Sequence, residues 1–322
     1  MDLGINIHKM GNLNMSLSFL FPGQASQYIG MGKDLYEKND IAKKLFDNAC
    51  DILGYDIKKI CFEGPEEELR QTKITQPAIF IHSSILSTLL NKIQPTMCAG
   101  HSLGEYSALY CAQSISFEEG LKLVALRGEL MYEAGLQNPG SMAVIIGIDS
   151  DKIKSICENA SDKGLINPAN FNSKEQTVVS GAKEAIQKAM QLSKEAGAKI
   201  VKELSVSGAF HSPLMESAKI KLNLALKNIS FKDATFPIYA NVSANPFLKA
   251  SEIKNNLCEQ ITSPVYWLDT INNMTNNGMD RAIEIGPGKV LQGLMKKINP
   301  NIKIFGVDKF EDIENLYKAI QL

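Results

Sequence analysis

The chain has 322 residues, 44% of them hydrophobic, which suffices to bury a substantial core in one large domain or in a large and a small one. Its 34 lysine and arginine residues nearly balance 35 aspartate and glutamate residues, so no overall field favours nucleic acid or an anionic membrane. The six cysteines lack the spacing of a disulfide framework or a zinc site, which favours a reducing, cytoplasmic compartment.

Short apolar runs alternate with longer segments of helical spacing along most of the chain. We expect residues 1–15 to be a loose tail, because they lack the apolar core of a secretory signal and have few basic residues. No later apolar stretch has the length of a membrane span. Buried strands are predicted at 17–21, 96–99, 282–285 and 303–307, and helices at 34–53, 76–92, 116–135, 212–228 and 288–297. This alternation indicates an α/β fold with a mostly parallel sheet between layers of helices.

A glycine-rich turn, FPGQASQYIGMG (21–32), follows the first predicted strand. It lacks the lysine and hydroxyl residue of a P-loop and does not have G-x-G-x-x-G spacing, so it gives little support for nucleotide binding. Gln24 in this turn is an amide donor at the carboxyl end of a strand, where ligands of α/β sheets bind. Ser26 and Gln27 could serve only to cap the next helix.

The segment GHSLG (100–104) places Ser102 between a predicted strand and a predicted helix. It fits G-x-S-x-G, in which a nucleophilic serine occupies a strained turn and the glycines leave room where side chains would collide. Free N–H groups at a helix N-terminus stabilise an oxyanion, and the backbone N–H of Leu103 is the natural first donor. The alternative is a serine that only caps the helix.

Arg127 lies on an apolar helical face together with Leu123, Leu126 and Leu130. A guanidinium on such a face either extends along it to solvent or pairs with an anion. Beside a nucleophilic serine, its planar fork suits bidentate capture of a substrate carboxylate. Both interpretations are open at this point.

The order of predicted elements changes after about residue 141. Strand, helix, strand, strand, helix and strand follow one another, which is the βαββαβ order of a ferredoxin-like unit. We therefore expect a ferredoxin-like subdomain at 136–206, inserted in a large domain made of residues 16–135 and 207–322. A ligand is expected in the cleft between the two.

A serine nucleophile needs a base, usually histidine, and the chain has four. His8 lies in the tail, His82 falls on the apolar stripe of a predicted helix, and His101 faces away from Ser102. Elimination leaves His211, at the start of a helix, where an imidazole can project into a cleft or serve only a structural purpose. No acidic residue between the serine and this histidine stands at a clear strand end, so the orienting acceptor need not be a carboxylate.

Six motifs occur in order along the chain, namely FPGQ, GHSLGEYSAL, LVALRGELM, NPANFNS, AFHSPLM and EIGPGKVLQGL. With this set the chain, from about Ser16 to its C-terminus, resembles the malonyl-CoA:acyl carrier protein transacylase family. It is also similar to the acyltransferase domains of polyketide and multifunctional fatty acid synthases. The resemblance implies an α/β-hydrolase-like large domain with a mostly parallel sheet and an inserted ferredoxin-like subdomain.

The resemblance also implies a reaction with two acyl transfers. Ser102 would be the nucleophile and His211 its base, and Gln260 would supply a carbonyl oxygen that orients the histidine in place of an acid. The malonyl group would pass from malonyl-CoA to the serine, and then to the phosphopantetheine thiol of an acyl carrier protein in fatty acid synthesis. No metal or redox cofactor is implied. We expect a monomer with no nucleic acid or membrane partner.

Further site residues follow from the same resemblance. Gln24 and the Leu103 backbone would form the oxyanion hole, and Arg127 would hold the malonyl carboxylate. The family commonly has glycine where this chain has Ala25, which adds a methyl group beside the oxyanion donor. The residues before His211 resemble the form associated with malonyl rather than methyl-branched groups.

Other functions are compatible with these residues. A serine thioesterase or esterase would use the same nucleophile without needing Arg127, and a trans-acting acyltransferase of a polyketide synthase would use the same site. A catalytically silent subunit that binds the carrier protein is a third possibility. Because acyl carrier proteins are generally acidic, we predict a basic docking surface that includes Lys289, Lys296 and Lys297, although they could simply be solvated surface lysines.

Overall fold

The structure is a computed structural model that describes residues 16–321, so the predicted tail at 1–15 lies outside the described residues. The strands are β1 (Leu17–Phe21), β2 (Met97–Gly100), β3 (Ser141–Ile146), β4 (Ile166–Ser173), β5 (Gln176–Gly181), β6 (Ile200–Glu203), β7 (Ile238–Tyr239), β8 (Pro246–Phe247), β9 (Arg281–Ile285) and β10 (Lys303–Val307). All four predicted strands are present within one residue of their expected bounds.

The helices cover most of the remaining chain. They are α1 (Lys33–Lys38), α2 (Asp40–Leu53), α3 (Ile57–Glu63), α4 (Glu66–Leu69), α5 (Thr72–Leu89), α6 (Gly104–Cys111), α7 (Phe117–Gln137), α8 (Ser150–Ala160), α9 (Lys183–Glu195), α10 (Glu216–Lys227), α11 (Ala250–Gln260), α12 (Trp267–Asn276), α13 (Val290–Ile298) and α14 (Phe310–Ile320). Within the described residues, no helix combines the length and the apolar character needed to cross a membrane.

The larger sheet has the strand order β10-β9-β1-β2-β7-β8 and is parallel except for the last pair. Side chains of β1 are buried on both faces, Phe19 and Phe21 on one and Leu20 on the other. Helices α12 and α13 pack on the Leu20 face, while α5, α6 and α7 contribute to the core on the opposite face. The predicted helix–sheet–helix arrangement is therefore confirmed, and the parallel order brings the carboxyl ends of β1, β2 and β7 to one edge.

The second sheet is antiparallel with the order β4-β5-β3-β6, and helices α8 and α9 pack against it around a separate small core. Together with the βαββαβ chain order, this strand order confirms the ferredoxin-like unit. All its strands lie between Ser141 and Glu203. We propose from these bounds that residues 136–206 form the inserted subdomain.

The helix expected at 76–92 is α5, which begins at Thr72 and ends at Leu89. Two other predicted helices are interrupted or begin differently in the structure. The helix expected at 34–53 is divided into α1 and α2 because Asn39 is extended, with φ −143°, and its side chain accepts hydrogen bonds from the N–H groups of Ile41 and Ala42. The helix expected at 212–228 opens with a 3₁₀ turn at Pro213–Met215 before α10 begins. Local capping side chains therefore decide these boundaries more than apolar periodicity does.

Candidate active site

The turn that carries Ser102 connects the end of β2 to the start of α6, as the G-x-S-x-G pattern predicts. Ser102 has a φ of 50°, in the left-handed region. A Cβ on Gly100 would lie 1.9 Å from the carbonyl carbon of Gly104, and a Cβ on Gly104 would lie 2.1 Å from the Phe21 oxygen. Both flanking glycines are therefore required by the close approach of backbone segments, and the strained turn projects the serine from the sheet edge.

Asn241 fixes this turn from a distant part of the sequence. Its Oδ1 accepts the backbone N–H of Ser102 at 2.6 Å, and its Nδ2 donates to the Gly100 oxygen at 2.7 Å. The residue follows β7, the neighbour of β2 in the sheet. Sequence reasoning missed it because β7 spans only two residues, too few for a recognisable apolar pattern.

The side chains of Ser102 and His211 are in hydrogen-bond contact, 2.8 Å from Oγ to Nε2. On the other side of the ring, Nδ1 lies 2.8 Å from the backbone oxygen of Gln260. A carbonyl oxygen can only accept, so Nδ1 carries the hydrogen and Nε2 accepts the serine proton. The orienting acceptor is thus a backbone carbonyl at the end of α11 rather than an acidic side chain.

His211 is a buried histidine, 4% exposed. Burial, and secondarily the positive charge of Arg127, lower the pKa of His211 to about 3. The imidazole is therefore neutral at physiological pH and able to receive a proton. Asn167 of β4 donates to the backbone oxygen of His211 at 3.0 Å, which holds a residue whose φ is 57°.

Arg127 is buried, 1% exposed, so the alternative that it extends to solvent is wrong. Its guanidinium donates to the Gln76 Oε1 at 2.7 Å, to the Gln260 Oε1 at 2.9 Å and to the Ser102 Oγ at 3.2 Å. All three acceptors are neutral, and burial lowers the pKa of the guanidinium. The predicted apolar stripe is only partly correct, because Leu126 is 37% exposed.

Leu103 and Gln24 are the two predicted oxyanion donors, and the structure shows which of their N–H groups are free to bind a ligand. Within the described residues, the backbone N–H groups of Leu103 and Gln24 have no hydrogen-bond acceptor. The side-chain amide of Gln24, which the sequence suggested as a donor, instead points to the Thr72 hydroxyl at 3.3 Å. Of the two groups on Gln24, the backbone N–H is therefore the one left unpaired for a ligand.

The two other described histidines are not brought to the serine. His101 Nε2 lies 2.9 Å from the Asn172 Oδ1, and its ring packs against Trp267 with centroids 5.4 Å apart. His82 is fully buried in α5, with Nε2 3.3 Å from Asp308. Elimination by sequence position therefore selected the histidine that the fold places beside Ser102.

Glu105 is a buried carboxyl group that sequence reasoning did not single out. Its Oε2 accepts the Asn241 backbone N–H at 3.0 Å and the Gln260 Nε2 at 2.7 Å. Burial raises the pKa of Glu105 to about 7. The available signal was a charged residue in the first turn of a helix that otherwise carries no charge. Among the described residues, no group of three or more His, Cys, Asp or Glu side chains is arranged to hold a metal ion.

The chain matches a protein-family model and is similar to curated proteins along most of its length. The family model described as "Acyl transferase domain" matches residues 18–302. A malonyl CoA-acyl carrier protein transacylase of Bacillus subtilis (strain 168) is 44% identical over 301 residues, covering 92% of this chain and 95% of the relative. The protein of the same description from Staphylococcus aureus (strain MRSA252) is 41% identical over 298 residues, covering 92% of this chain and 97% of the relative.

Solved structures give the same result for the fold. The malonyl CoA-acyl carrier protein transacylase of Coxiella burnetii superposes with a TM-score of 0.92 at 38% identity, over 96% of this chain and 98% of that one. A malonyl-transacylase in complex with a type II polyketide synthase acyl-carrier protein superposes with a TM-score of 0.91 at 38% identity, over 94% and 99% of the two chains. The two-sheet architecture described above is thus shared with solved transacylases along nearly the whole chain.

Proposed function

The chain belongs to the acyl transferase family, and we propose that it transfers a malonyl group from malonyl-CoA to the phosphopantetheine thiol of an acyl carrier protein. The observation that carries this proposal is the contact of one hydroxyl, Ser102 Oγ, with both His211 and a buried Arg127 whose hydrogen-bond acceptors among the described residues are all neutral. A general base and an unpaired cation at the same oxygen suit an acyl group that bears a carboxylate.

In the first half-reaction, Ser102 attacks the thioester carbonyl carbon of malonyl-CoA. His211 Nε2 accepts the hydroxyl proton as the Oγ–C bond forms. The carbon–sulfur bond then breaks, and the proton passes from the imidazolium to the leaving sulfur, which releases coenzyme A as a thiol. The Gln260 carbonyl stabilises the imidazolium through Nδ1–H, at the 2.8 Å contact of the free enzyme.

In the second half-reaction, the carrier-protein thiol attacks the malonyl-serine ester. The thiol proton moves to His211, the carbon–sulfur bond forms, and the Oγ–C bond breaks as Ser102 recovers its proton. We propose that the unpaired backbone N–H groups of Leu103 and Gln24 stabilise the oxyanion in both steps. Loss of one such donor typically costs roughly 10²–10³ in kcat. Proton transfer within this set of residues accounts for each step without a metal or redox cofactor.

We assign Arg127 to the malonyl carboxylate because of its electrostatic position. Charge-assisted pairing with a carboxylate is stronger than its present bonds to the amide oxygens of Gln76 and Gln260. An anchored carboxylate also holds the acyl carbonyl in one orientation above Ser102. A thioesterase would derive no benefit from this buried charge, which favours transfer of malonyl groups over hydrolysis of uncharged esters.

The carrier protein and the pathway belong to the same proposal. The curated relatives are named for transfer to acyl carrier protein, and one structural relative was solved with such a protein. We therefore propose that the chain supplies malonyl groups for fatty acid synthesis. A cytoplasmic location is supported by its six cysteines, all of which are free thiols in the structure.

The test is direct detection of the acyl-enzyme. Purified protein is mixed with malonyl-CoA, acetyl-CoA or methylmalonyl-CoA, quenched rapidly and weighed intact, with Ser102→Ala as the control. We expect a malonyl adduct on the wild type only, which holo acyl carrier protein discharges. Free malonate without an adduct would indicate a hydrolase, and the absence of both products would contradict the proposed activity.

A further inference from the structure

Glu105 lies directly beneath the serine turn, in the first turn of α6. It is completely buried, and it forms no ion pair within the described residues. The proposed transfer reaction has no step for this carboxyl group. Burial of a carboxyl group costs free energy of folding unless the group is hydrogen-bonded. The partners that form these hydrogen bonds therefore indicate what the carboxyl group does.

Both partners of Glu105 contact the reacting residues. One is the backbone N–H of Asn241, whose side chain holds the N–H of Ser102 and the oxygen of Gly100. The other is the side-chain amide of Gln260, whose backbone oxygen orients His211. One carboxyl oxygen, Oε2, thus connects the turn of the nucleophile with the support of its base.

The amide of Gln260 also has a defined orientation because of Glu105. Its Nε2 donates to the Glu105 Oε2 at 2.7 Å and to the Ser102 backbone oxygen at 3.0 Å. Its Oε1 accepts from Arg127 at 2.9 Å. Rotation of the amide by 180° would place a donor against the guanidinium and an acceptor against two oxygens. Glu105 therefore helps to keep the oxygen of the Gln260 amide, rather than its nitrogen, directed toward Arg127.

We propose that Glu105 is a positioning residue for the acyl transfer, which holds Asn241 and Gln260 so that Ser102, His211 and Arg127 remain aligned. The inference rests on the proposed function for the identity of the acyl group, but the alignment of Ser102 and His211 is independent of it. Glu105 acts through these two residues and does not contact the reacting atoms.

The acceptor oxygen of Glu105, rather than its charge, carries the role. Its second oxygen, Oε1, has no hydrogen-bond partner among the described residues, so a proton there leaves both bonds to Oε2 intact. The ionisable groups that face it are Arg127 from α7, Cys98 from β2 and Tyr106 from its own helix. Burial raises the pKa of Glu105 to about 7, so both protonation states are accessible near neutral pH.

The test compares Glu105→Gln, Glu105→Asp and Glu105→Leu by two rates. One is acylation by saturating malonyl-CoA, and the other is labelling of Ser102 by a fluorophosphonate, a reagent that has no carboxylate for Arg127 to bind. Leucine removes the acceptor and leaves two donors unpaired, so we expect both rates to fall roughly 10- to 100-fold. Glutamine keeps an oxygen at the Oε2 position and should stay within about threefold of the wild type. Aspartate keeps the charge, but its shorter side chain moves the oxygen away from Asn241 and Gln260. Both rates of Glu105→Asp should therefore be lower than those of Glu105→Gln.

Glu284 provides the matched control. It is another fully buried carboxyl, at the carboxyl-terminal half of β9, and it accepts the backbone N–H groups of Leu291 and Gln292. Glu284→Leu and Glu284→Gln should change the unfolding midpoint but not the two rates of the folded protein. A purely structural role for Glu105 would give the same pattern at both positions.

Each outcome decides the proposal. Wild-type rates in folded Glu105→Leu would overturn it, and so would Glu105→Gln as slow as Glu105→Leu, since charge would then be the requirement. If the leucine variant does not fold, an aspartate variant faster than the glutamine variant would overturn it. Fluorophosphonate labelling without malonyl transfer in the wild type would refute the proposed function alone, whereas no labelling at all would refute both.

Discussion

The pKa of His211 shows how single residues acquire chemistry from their surroundings. Burial withdraws the imidazole from water, and the buried Arg127 opposes a second positive charge beside it, so the pKa falls to about 3. Since the folded pKa lies below the usual 6.5, neutral His211 contributes stability above pH 6.5 that is lost as the pH falls toward 3. The same shift keeps His211, the proposed base, unprotonated at every physiological pH.

The low pKa of His211 predicts an unusual pH profile for the reactivity of Ser102, the proposed nucleophile. Labelling of Ser102 by a fluorophosphonate should fall less than about twofold from pH 8 to pH 5, whereas a base with the ordinary pKa would lose roughly 30-fold. Arg127→Met removes a cause of the low pKa, so its rate should begin to fall at a higher pH than that of the wild type. The measurement is the labelled fraction against time by intact mass, and a wild-type inflection near pH 6.5 would contradict the assignment.

The candidate site also shows which residues a sequence can identify one at a time. Ser102 stands out because its flanking glycines are a local signal, and His211 because the chain has so few histidines. Arg127 stands out as a charge on an apolar helical face. Asn241 and Glu105 carry no comparable signal, since their role depends on partners 139 and 155 positions away in the chain, as the contacts with Ser102 and Gln260 show.

Among the secondary-structure elements, connections at the carboxyl ends of strands supply part of the site, while α7 supplies Arg127 and the end of α11 supplies Gln260. The loop after β1 carries Gln24, the turn after β2 carries Ser102, and Asn241 follows β7. The loop after β1 contains the departure from the family pattern at Ala25. Its φ of 82° is a left-handed conformation that favours glycine, so the methyl group strains the loop backbone beside Gln24, the proposed oxyanion donor.

Ala25→Gly should therefore stabilise the protein. Relief of the left-handed strain, about 1–2 kcal/mol, exceeds the added entropy of glycine in the unfolded chain, about 0.4–1 kcal/mol. We expect a net gain of about 0.5–1 kcal/mol in the free energy of unfolding, measured by urea denaturation. The matched control is Ala125→Gly within α7, which should lose about 1 kcal/mol. Equal losses at both positions would show that Ala25 is not strained.

At the scale of the whole molecule, the smaller sheet contributes to the site although the proposed nucleophile and base lie outside it. Asn167 and Asn172 of β4 hold the His211 backbone and the His101 ring. Lys297 of α13 also donates to Gln176 of β5 at 3.0 Å, which connects the predicted basic surface to the inserted sheet. The smaller sheet therefore contacts both the segment that carries His211 and the turn that carries Ser102.

The predicted basic docking surface for the carrier protein can be tested by charge reversal. Lys289, Lys296 and Lys297 are exposed around α13, so an acidic carrier protein can reach them. Reversal of all three charges to glutamate should raise the KM for holo acyl carrier protein roughly tenfold at low salt, and less at high salt, because the attraction is screened. Acylation by saturating malonyl-CoA should be unchanged, since within the described residues none of the three lysines is hydrogen-bonded to Ser102, His211 or Arg127.

A matched control distinguishes the effect of the protein's net charge from the effect of where the charges lie. Glutamate substitutions at three other exposed lysines, Lys38, Lys43 and Lys44 of α1 and α2, change the net charge by the same amount. The carrier-protein KM should respond to the first set and not to the second. An equal response to both would indicate general electrostatic attraction, and no response to the first would refute the docking surface.

Features that depend on neighbouring residues, or on an ordered set of motifs, could be predicted from the amino-acid sequence. Apolar periodicity identified the main strands and most helices, the order of elements identified the ferredoxin-like sheet, and the motifs identified the family. The pattern of glycines around Ser102 was sufficient to predict the turn, because a strained backbone restricts the residues that can flank it.

The pairing of the buried polar groups, in contrast, depends on the three-dimensional packing of the chain. The strand order places β2 beside β7, and this brings Asn241 to the serine turn; α11 places Gln260 beside His211, Arg127 and Glu105. The same packing places neutral oxygens around Arg127 and two N–H donors at Glu105. Burial lowers the pKa of His211, so its imidazole is neutral. Such pairings follow from the packing of distant segments, and local sequence cannot specify them because a hydrogen bond depends on where both partners lie in space.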